Sequence, residues 1–178
     1  MKNSFLAGAS CFCLTACLGY HIGPVKPYYL QDVHTIAVPT FENSTLIPRI
    51  EVLVTDTVIK QFQQDGTFKI ASNENADVIL KGEISRITRS PARSVRGNVL
   101  ATSEFNLVMR LRYKLVGNDG KPIGPPGEVS GSTSFFVGTT TLNGSPATGD
   151  VITDERQALP LATEELANHL VSQLSEGW

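Results

Sequence analysis

The fold is decided by one stretch of the sequence, Ser103-Glu104-Phe105-Asn106-Leu107-Val108-Met109-Arg110-Leu111-Arg112-Tyr113-Lys114-Leu115-Val116. Apolar side chains occupy every second position from Phe105 to Leu115, and mostly polar or charged side chains lie between them. Successive side chains of a strand point to opposite faces, so this alternation predicts a long strand with one buried face. A second layer must therefore cover that face.

Further strands are predicted at residues 33–41, 68–70, 77–88 and about 128–137. Gly117-Asn118-Asp119-Gly120 is a hairpin turn signal between the strand predicted at residues 103–116 and the last of these. Glu42-Asn43-Ser44-Thr45 is a second turn, because short polar side chains bond their own backbone. We interpret residues 89–97, which contain Pro91, as a loop or strand end, and residues 139–149 as a loop.

Two segments carry apolar residues at the spacing of an amphipathic helix. The first stripe is Ile50, Leu53, Val54, Val58 and Phe62, and the second is Leu159, Ala162, Leu166, Leu170 and Leu174. Pro48 fits the first turn of the first helix, and Gly66 fits its C-terminal stop. Thr153 fits the N-cap of the second helix, and Pro160 either kinks that helix or marks where its regular part begins.

The order of strand, helix, several strands and helix predicts an α+β fold. Neither helix can bury its apolar stripe alone. We therefore expect a two-layer sandwich, with two helices packed on one face of a mostly antiparallel or mixed sheet of about four to five strands. The opposite face of the sheet is expected to be polar and partly basic.

The N-terminus has a pattern typical of a bacterial lipoprotein signal peptide. Lys2 supplies a positive end, an apolar run follows, and Leu14-Thr15-Ala16-Cys17 is typical of a lipobox, in which the cysteine is lipidated. The alternative is an ordinary signal peptide with Cys17 as a free thiol. We expect a signal peptide at residues 1–16, the lipidated Cys17 and a tether at residues 17–31, and a single α+β domain at residues 32–178.

Composition and motifs exclude several classes of function. The 178 residues carry a formal net charge of -2, so the basic footprint of a nucleic-acid-binding protein is absent, and no nucleic-acid partner is expected. His21, His34 and His169 are far apart in the sequence, and there is neither a nucleophile elbow nor a phosphate loop. We therefore predict no catalytic residue, no metal and no cofactor.

Four local patterns together resemble one known family. They are Cys17-Leu18-Gly19-Tyr20-His21; Ile36-Ala37-Val38-Pro39-Thr40-Phe41-Glu42-Asn43-Ser44-Thr45, similar to a Val-Pro-x-Phe-x-Asn segment; the helical residues 48–68; and Ala76-Asp77-Val78-Ile79-Leu80-Lys81-Gly82-Glu83-Ile84, similar to an Ala-Asp-x-x-Leu-x-Gly-x-Ile strand. The family is that of the LptE-type lipopolysaccharide-assembly lipoproteins of the outer membrane.

The resemblance implies a lipid-anchored, periplasm-facing outer-membrane protein that partners a large β-barrel translocon, LptD. In that role it acts as a plug, assists assembly of the barrel and binds lipopolysaccharide. Leu18 follows the lipidated cysteine, and this position lacks the Asp that resembles an inner-membrane retention signal. The alternative functions are a lipoprotein that activates an envelope enzyme, an accessory subunit of an envelope transport complex, and a soluble lipid carrier.

The candidate binding residues are basic. Arg110, Arg112 and Lys114 occupy alternate positions of one strand and so project from one face of the sheet. Four more arginines lie in or just after the strand predicted at residues 77–88, which can neighbour the first strand: Arg86, Arg89, Arg93 and Arg96. Guanidinium groups bind phosphates through paired, charge-assisted hydrogen bonds, and lipopolysaccharide carries phosphates. The alternatives are a solvated strand face and a face that meets acidic groups inside a barrel.

Overall fold

The computed structural model describes residues 26–93, 103–137, 139–142, 145–148 and 151–176. Over these residues the chain forms a six-stranded sheet with two helices packed on one of its faces. The predicted α+β two-layer fold is confirmed, and the sheet has one strand more than the expected four to five. Cys17 and Arg96 lie outside the described residues.

The sheet combines parallel and antiparallel pairs, in the order β3-β1-β4-β5-β6, with β2 pairing further along β4. Its strands are β1 Thr35–Ala37, β2 Glu42–Asn43, β3 Lys69–Ile70, β4 Val78–Arg93, β5 Ser103–Gly117 and β6 Pro122–Val137. A separate hairpin consists of β7 Thr139–Leu142 and β8 Ser145–Thr148. The helices are α1 Ile50–Asp65 and α2 Val151–Glu176, and a 3-10 turn covers Tyr28–Leu30.

The strand β5 lies between β4 and β6 and pairs antiparallel with both over almost its whole length. The residues of its predicted apolar face are buried or half-buried beneath the helices, and Leu107, Met109 and Leu111 are fully buried. The turn Gly117–Gly120 joins β5 to β6 as predicted, with Gly120 at φ 79°, a backbone conformation that favours glycine.

Two segments differ from the sequence prediction, and for residues 89–93 the strand-end alternative is confirmed rather than the loop. The strand β4 continues through Pro91 to Arg93, because the far side of this segment pairs with no described strand and the missing N–H of proline is tolerated there. The strand β6 begins at Pro122, because the ladder shifts register opposite Tyr113 and Leu115 and so accommodates the glycine and prolines that look like strand breakers. Residues 139–142 and 145–148 pair as the antiparallel strands β7 and β8, where a loop was expected.

The helix α1 buries the predicted stripe, and Gly66 ends it with φ 76° and an N–H donated to the Phe62 carbonyl at 3.0 Å. The prediction for Pro48 was wrong. This proline precedes the first helical residue by two positions, because Arg49 takes the left-handed conformation with φ 64° and only Ile50 begins the helix.

The helix α2 buries all five residues of its predicted stripe. Pro160 lies inside a continuous helix and does not begin it; its side chain is exposed. Thr153 is not the N-cap, because the helix begins two residues earlier at Val151.

Residues of two motifs that carry the family resemblance contact each other across the sheet. The Asp77 carboxylate accepts the N–H groups of His34 at 3.0 Å and Thr35 at 2.8 Å, and these hydrogen bonds lower the pKa of Asp77 below its ordinary value. The Phe41 ring lies against Gly82, where an added Cβ would come within 2.8 Å of the ring. These residues hold the first strand and its following loop on β4.

The backbone of α2 lies very close to β6 at Gly131. A Cβ added there would lie 2.0 Å from the Ala162 carbonyl oxygen and 2.4 Å from the Leu166 backbone nitrogen. Side chains of α2 also close the free edge of β6: Glu165 accepts the Ser132 N–H, and His169 Nδ1 donates to the Ser130 carbonyl at 2.8 Å. Covering an edge in this way blocks pairing with another chain.

Substitution of Gly131 tests the close packing of α2 on β6. We expect Gly131→Ala to lower the free energy of unfolding by roughly 1–3 kcal/mol, because the added methyl meets helix backbone that moves only with the whole helix. Urea unfolding followed by circular dichroism measures this change.

The matched control is Gly117→Ala, because the atoms nearest to the added methyl belong to the movable side chains of Asp119 and Ile123. This control is expected to be neutral or slightly stabilising. Equal destabilisation by the two substitutions would contradict the packing argument.

Candidate functional site

The face of the sheet that points away from the helices carries a concentration of positive charge. The strand β5 places Arg110, Arg112 and Lys114 on this face, all three exposed, as their alternation predicts. The opposite side of the same strand is the core, so these side chains cannot turn inward. We call the surface formed by Lys81, Arg86, Arg110, Arg112 and Lys114 the basic face.

The basic face brings like charges into direct opposition. In the β4–β5 ladder, Lys81 pairs with Lys114, and Arg86 pairs with Arg110. Side chains of directly opposed residues lie close together, and like charges in that arrangement destabilise a sheet. Between these two pairs, Glu83 lies opposite Arg112, so the repulsion between the opposed cations is only partly compensated within the ladder.

Carboxylates partly neutralise the basic face, and one of them, Glu128, forms ion pairs there. Glu128 of β6 pairs through Oε1 with Arg110 Nη1 at 3.1 Å and through Oε2 with Arg112 Nε at 3.5 Å. All three side chains are about half exposed, so these ion pairs contribute little to stability. Among the residues that the structure describes, Lys81, Arg86 and Lys114 form no ion pair.

A shallow depression of about 340 Å³ lies on this face. Its lining includes three of the cations and two carboxylates: Lys81, Arg112, Lys114, Glu42 and Glu83. Its open form and charged lining suit a phosphate-bearing headgroup rather than an enclosed apolar ligand.

The remaining predicted site residues do not join the basic face. Arg89 pairs in register with Leu107, which faces the helices, and its Nη1 bonds Glu155 Oε2 of α2 at 2.8 Å. The cause is a register shift between Ile84 and Arg86, which reverses the faces of the following residues. Arg93 lies opposite Glu104 in the backbone register, and Arg96 is outside the described residues.

Two residues of this charged surface, Lys81 and Glu128, are absent from the set of site residues predicted from the sequence. Lys81 belongs to the predicted polar side of β4, but only the β4–β5 register places it opposite Lys114. The sequence predicts Glu128 only as the approximate start of a strand, and the β5–β6 register is needed to place it opposite Arg112. The alternation of Lys81 with Leu80 and Gly82 was the available signal, and it could have added this lysine to the candidate set.

Tyr113 lies beneath this surface, with its ring against Gly127. Burial, and secondarily the neighbouring Tyr29, raise the pKa of Tyr113 to about 12. The phenol is therefore neutral at physiological pH and unsuited to act as a base.

The described part of the chain contains no group of three or more His, Cys, Asp or Glu residues arranged to hold a metal ion. Among the described helices, none is both long and apolar enough to cross a membrane. His169 serves the β6 edge through its hydrogen bond to Ser130.

The LptE family, described as lipopolysaccharide-assembly, matches residues 33–174. The chain belongs to the LptE family. The match covers every strand of the main sheet, all of α1 and all but the last two residues of α2, and so extends well beyond the segments that carry the sequence resemblance. The chain is therefore a member of a lipopolysaccharide-assembly family.

No curated protein matches the sequence significantly. Among solved structures, a protein described as a putative neuraminyllactose-binding hemagglutinin homolog from Helicobacter pylori has a TM-score of 0.53 and 12% identity, covering 82% of this chain and 88% of that one. The hypothetical protein CT253 from Chlamydia trachomatis has a TM-score of 0.50 and 9% identity, covering 80% and 96%. At such identities these likenesses show a shared fold alone.

Proposed function

We propose that this protein is a non-enzymatic, lipid-anchored outer-membrane protein that partners an LptD-like β-barrel and binds lipopolysaccharide through its basic face. The opposition of Lys81 to Lys114 and of Arg86 to Arg110 carries the ligand-binding part of the proposal. Membership of the LptE family supports the role in lipopolysaccharide assembly.

The charge distribution supports an anionic ligand. The whole chain carries a formal net charge of -2, whereas the five cations of the basic face exceed the three carboxylates beside them, which are Glu42, Glu83 and Glu128. A bound phosphate relieves the repulsion between opposed cations and adds charge-assisted hydrogen bonds. The arginines can contribute paired hydrogen bonds, and the lysines can act as point charges.

A lipid on Cys17 would hold the domain close to the membrane. Lys26 is the first described residue, and its Nζ donates to the Val33 carbonyl at 2.6 Å and lies over the Phe68 ring. The eight residues between Cys17 and Lys26 allow the two Cα atoms to be at most roughly 30 Å apart when the chain is fully extended. Stable anchoring through several acyl chains would therefore keep the domain close to the membrane surface.

Neutralising the two opposed lysines tests the ligand. We expect Lys81→Gln with Lys114→Gln to weaken lipopolysaccharide binding by roughly tenfold, because two charge-assisted contacts are lost. Binding is measured by titration calorimetry, and circular dichroism checks that the fold is intact.

The matched control is Lys60→Gln with Lys69→Gln, which removes the same charge from exposed positions on α1 and β3. The control is expected to bind as the unchanged protein does. If both double variants bind equally, or if the Lys81 and Lys114 variant retains full affinity, the basic face is not the binding site.

The barrel partner is tested by recovering the full-length, lipidated protein from its native envelope in mild detergent and identifying co-purified proteins by mass spectrometry. We expect a large outer-membrane β-barrel in near-equal amount. Recovery of a peptidoglycan enzyme or an inner-membrane transporter in its place would contradict the proposed partnership and favour the alternative of an enzyme activator or transport accessory.

A further inference from the structure

The strands β4 and β6, which flank β5, differ in whether the backbone groups on their outer edges are hydrogen-bonded. Glu165 and His169 of α2 bond the free backbone groups of Ser132 and Ser130, so the β6 edge is covered. On β4, the pairing with β2 ends at Ile84, and among the described residues no strand pairs with that side of β4 beyond this point. The second half of β4 is therefore an open edge.

The hydrogen-bond pattern identifies which groups face the open edge. Ser132 directs its N–H to Glu165, away from β5, so its register partner Val108 directs its own backbone groups to β4. There Val108 meets Thr88. Ile87 and Arg89, the neighbours of Thr88, then direct their N–H and C=O groups to the open edge. Pro91 has the same orientation, so its missing N–H also falls on this side.

A rigid loop borders the open edge. Asn43 Nδ2 donates to the Ile47 carbonyl and to Glu51 Oε2, both at 2.9 Å, and Asn43 Oδ1 accepts the Thr45 N–H at 2.9 Å. These bonds fix residues 44–47, yet Leu46 is fully exposed. The loop therefore holds an apolar side chain in water in a set position, which favours binding because little freedom remains to be lost.

A groove of about 320 Å³ lies between this loop and the open edge, lined in part by Leu46, Ile47, Ile87, Arg86 and Arg89. Ile87 shares the sheet face of its partner Met109, and Arg86 shares the face of Arg110. A strand added at this edge would thus meet the apolar Ile87 on one face of the sheet and Arg86 on the other. Arg86 forms no ion pair with any residue that the structure describes.

We propose that the β4 edge from Arg86 to Pro91 binds an extended segment of a partner protein in which apolar residues alternate with acidic residues. The segment adds a strand to the sheet, bonds the backbone groups of Ile87 and Arg89, packs its apolar side chains against Ile87 and Leu46, and places acidic side chains beside Arg86. This site goes beyond lipopolysaccharide binding, and its decisive variants, at Arg89 and Leu46, lie outside the basic face.

The probe is an end-blocked peptide of about eight residues that alternates valine and glutamate, enough to cover an edge of this length. Its affinity for the full-length protein is measured by fluorescence anisotropy, with a valine–lysine peptide as control. We expect the glutamate peptide to bind and the lysine peptide to bind much more weakly. No binding of the glutamate peptide, or equal binding of both, overturns the proposal.

A matched pair of substitutions isolates the backbone contact. Arg89→Pro and Arg89→Ala both remove the Glu155 ion pair, but only the proline removes the N–H on the open edge. We expect Arg89→Pro to weaken peptide binding about tenfold relative to Arg89→Ala. Equal affinities of the two variants overturn strand addition.

Two further measurements keep the proposal testable if Arg89→Pro does not fold. Peptide binding is expected to slow hydrogen exchange at the Ile87 and Arg89 amides and leave Thr88 unchanged, because Thr88 is already bonded within the sheet. Leu46→Ser is expected to weaken binding, whereas Leu161→Ser, at an exposed leucine of α2, is not. Unchanged exchange at Ile87 and Arg89, or equal effects of the two serine substitutions, would overturn it.

Discussion

Leu107, Met109 and Leu111 of β5 lie fully buried beneath the two helices, and this burial governs the arrangement of the other elements. Because β5 alternates strictly, the burial of one face forces Arg110, Arg112 and Lys114 onto the other. The two neighbouring strands then decide which charges meet these cations. β4 presents Lys81 and Arg86, and β6 presents Glu128. The basic face is thus a direct consequence of the packing that stabilises the fold.

The sequence was sufficient where side-chain periodicity alone determines the structure. The alternation in β5 and the stripes of α1 and α2 predicted the two layers, and Gly66 marked a helix end correctly. The usual reading of glycine and proline as strand breakers was misleading where a bulge accommodates them within a strand. Pro122 begins β6, and the glycine and prolines after it lie at a register shift rather than in a loop. A bulge has no reliable signature in a single sequence, because it depends on the partner strand.

The prediction of site residues was limited in the same way, because the register between strands is not encoded in one segment of sequence. The face of Arg110, Arg112 and Lys114 followed from spacing within one strand. The grouping of Arg89 with them was wrong because the register shift after Ile84 turns Arg89 toward α2. Lys81 and Glu128 required the registers of two ladders.

The residues that carry the family resemblance make structural contacts: Asp77 holds β1, Phe41 covers Gly82, and Asn43 organises the loop before α1. The family-like motifs therefore specify a scaffold, and the charges lie on surfaces that the scaffold presents.

The most direct test of the account is the lipopolysaccharide affinity of Glu128→Gln, measured beside Glu164→Gln, which makes the same change on the exposed side of α2. Glu128 pairs with Arg110 and Arg112, so under the proposed function it would compete with the ligand for these two side chains. Its neutralisation should therefore strengthen binding by roughly threefold, and the free energy of unfolding should change by less than about 1 kcal/mol because the ion pairs are exposed. A loss of affinity in Glu128→Gln, or an equal gain in both variants, would contradict the assignment of the basic face as the binding surface.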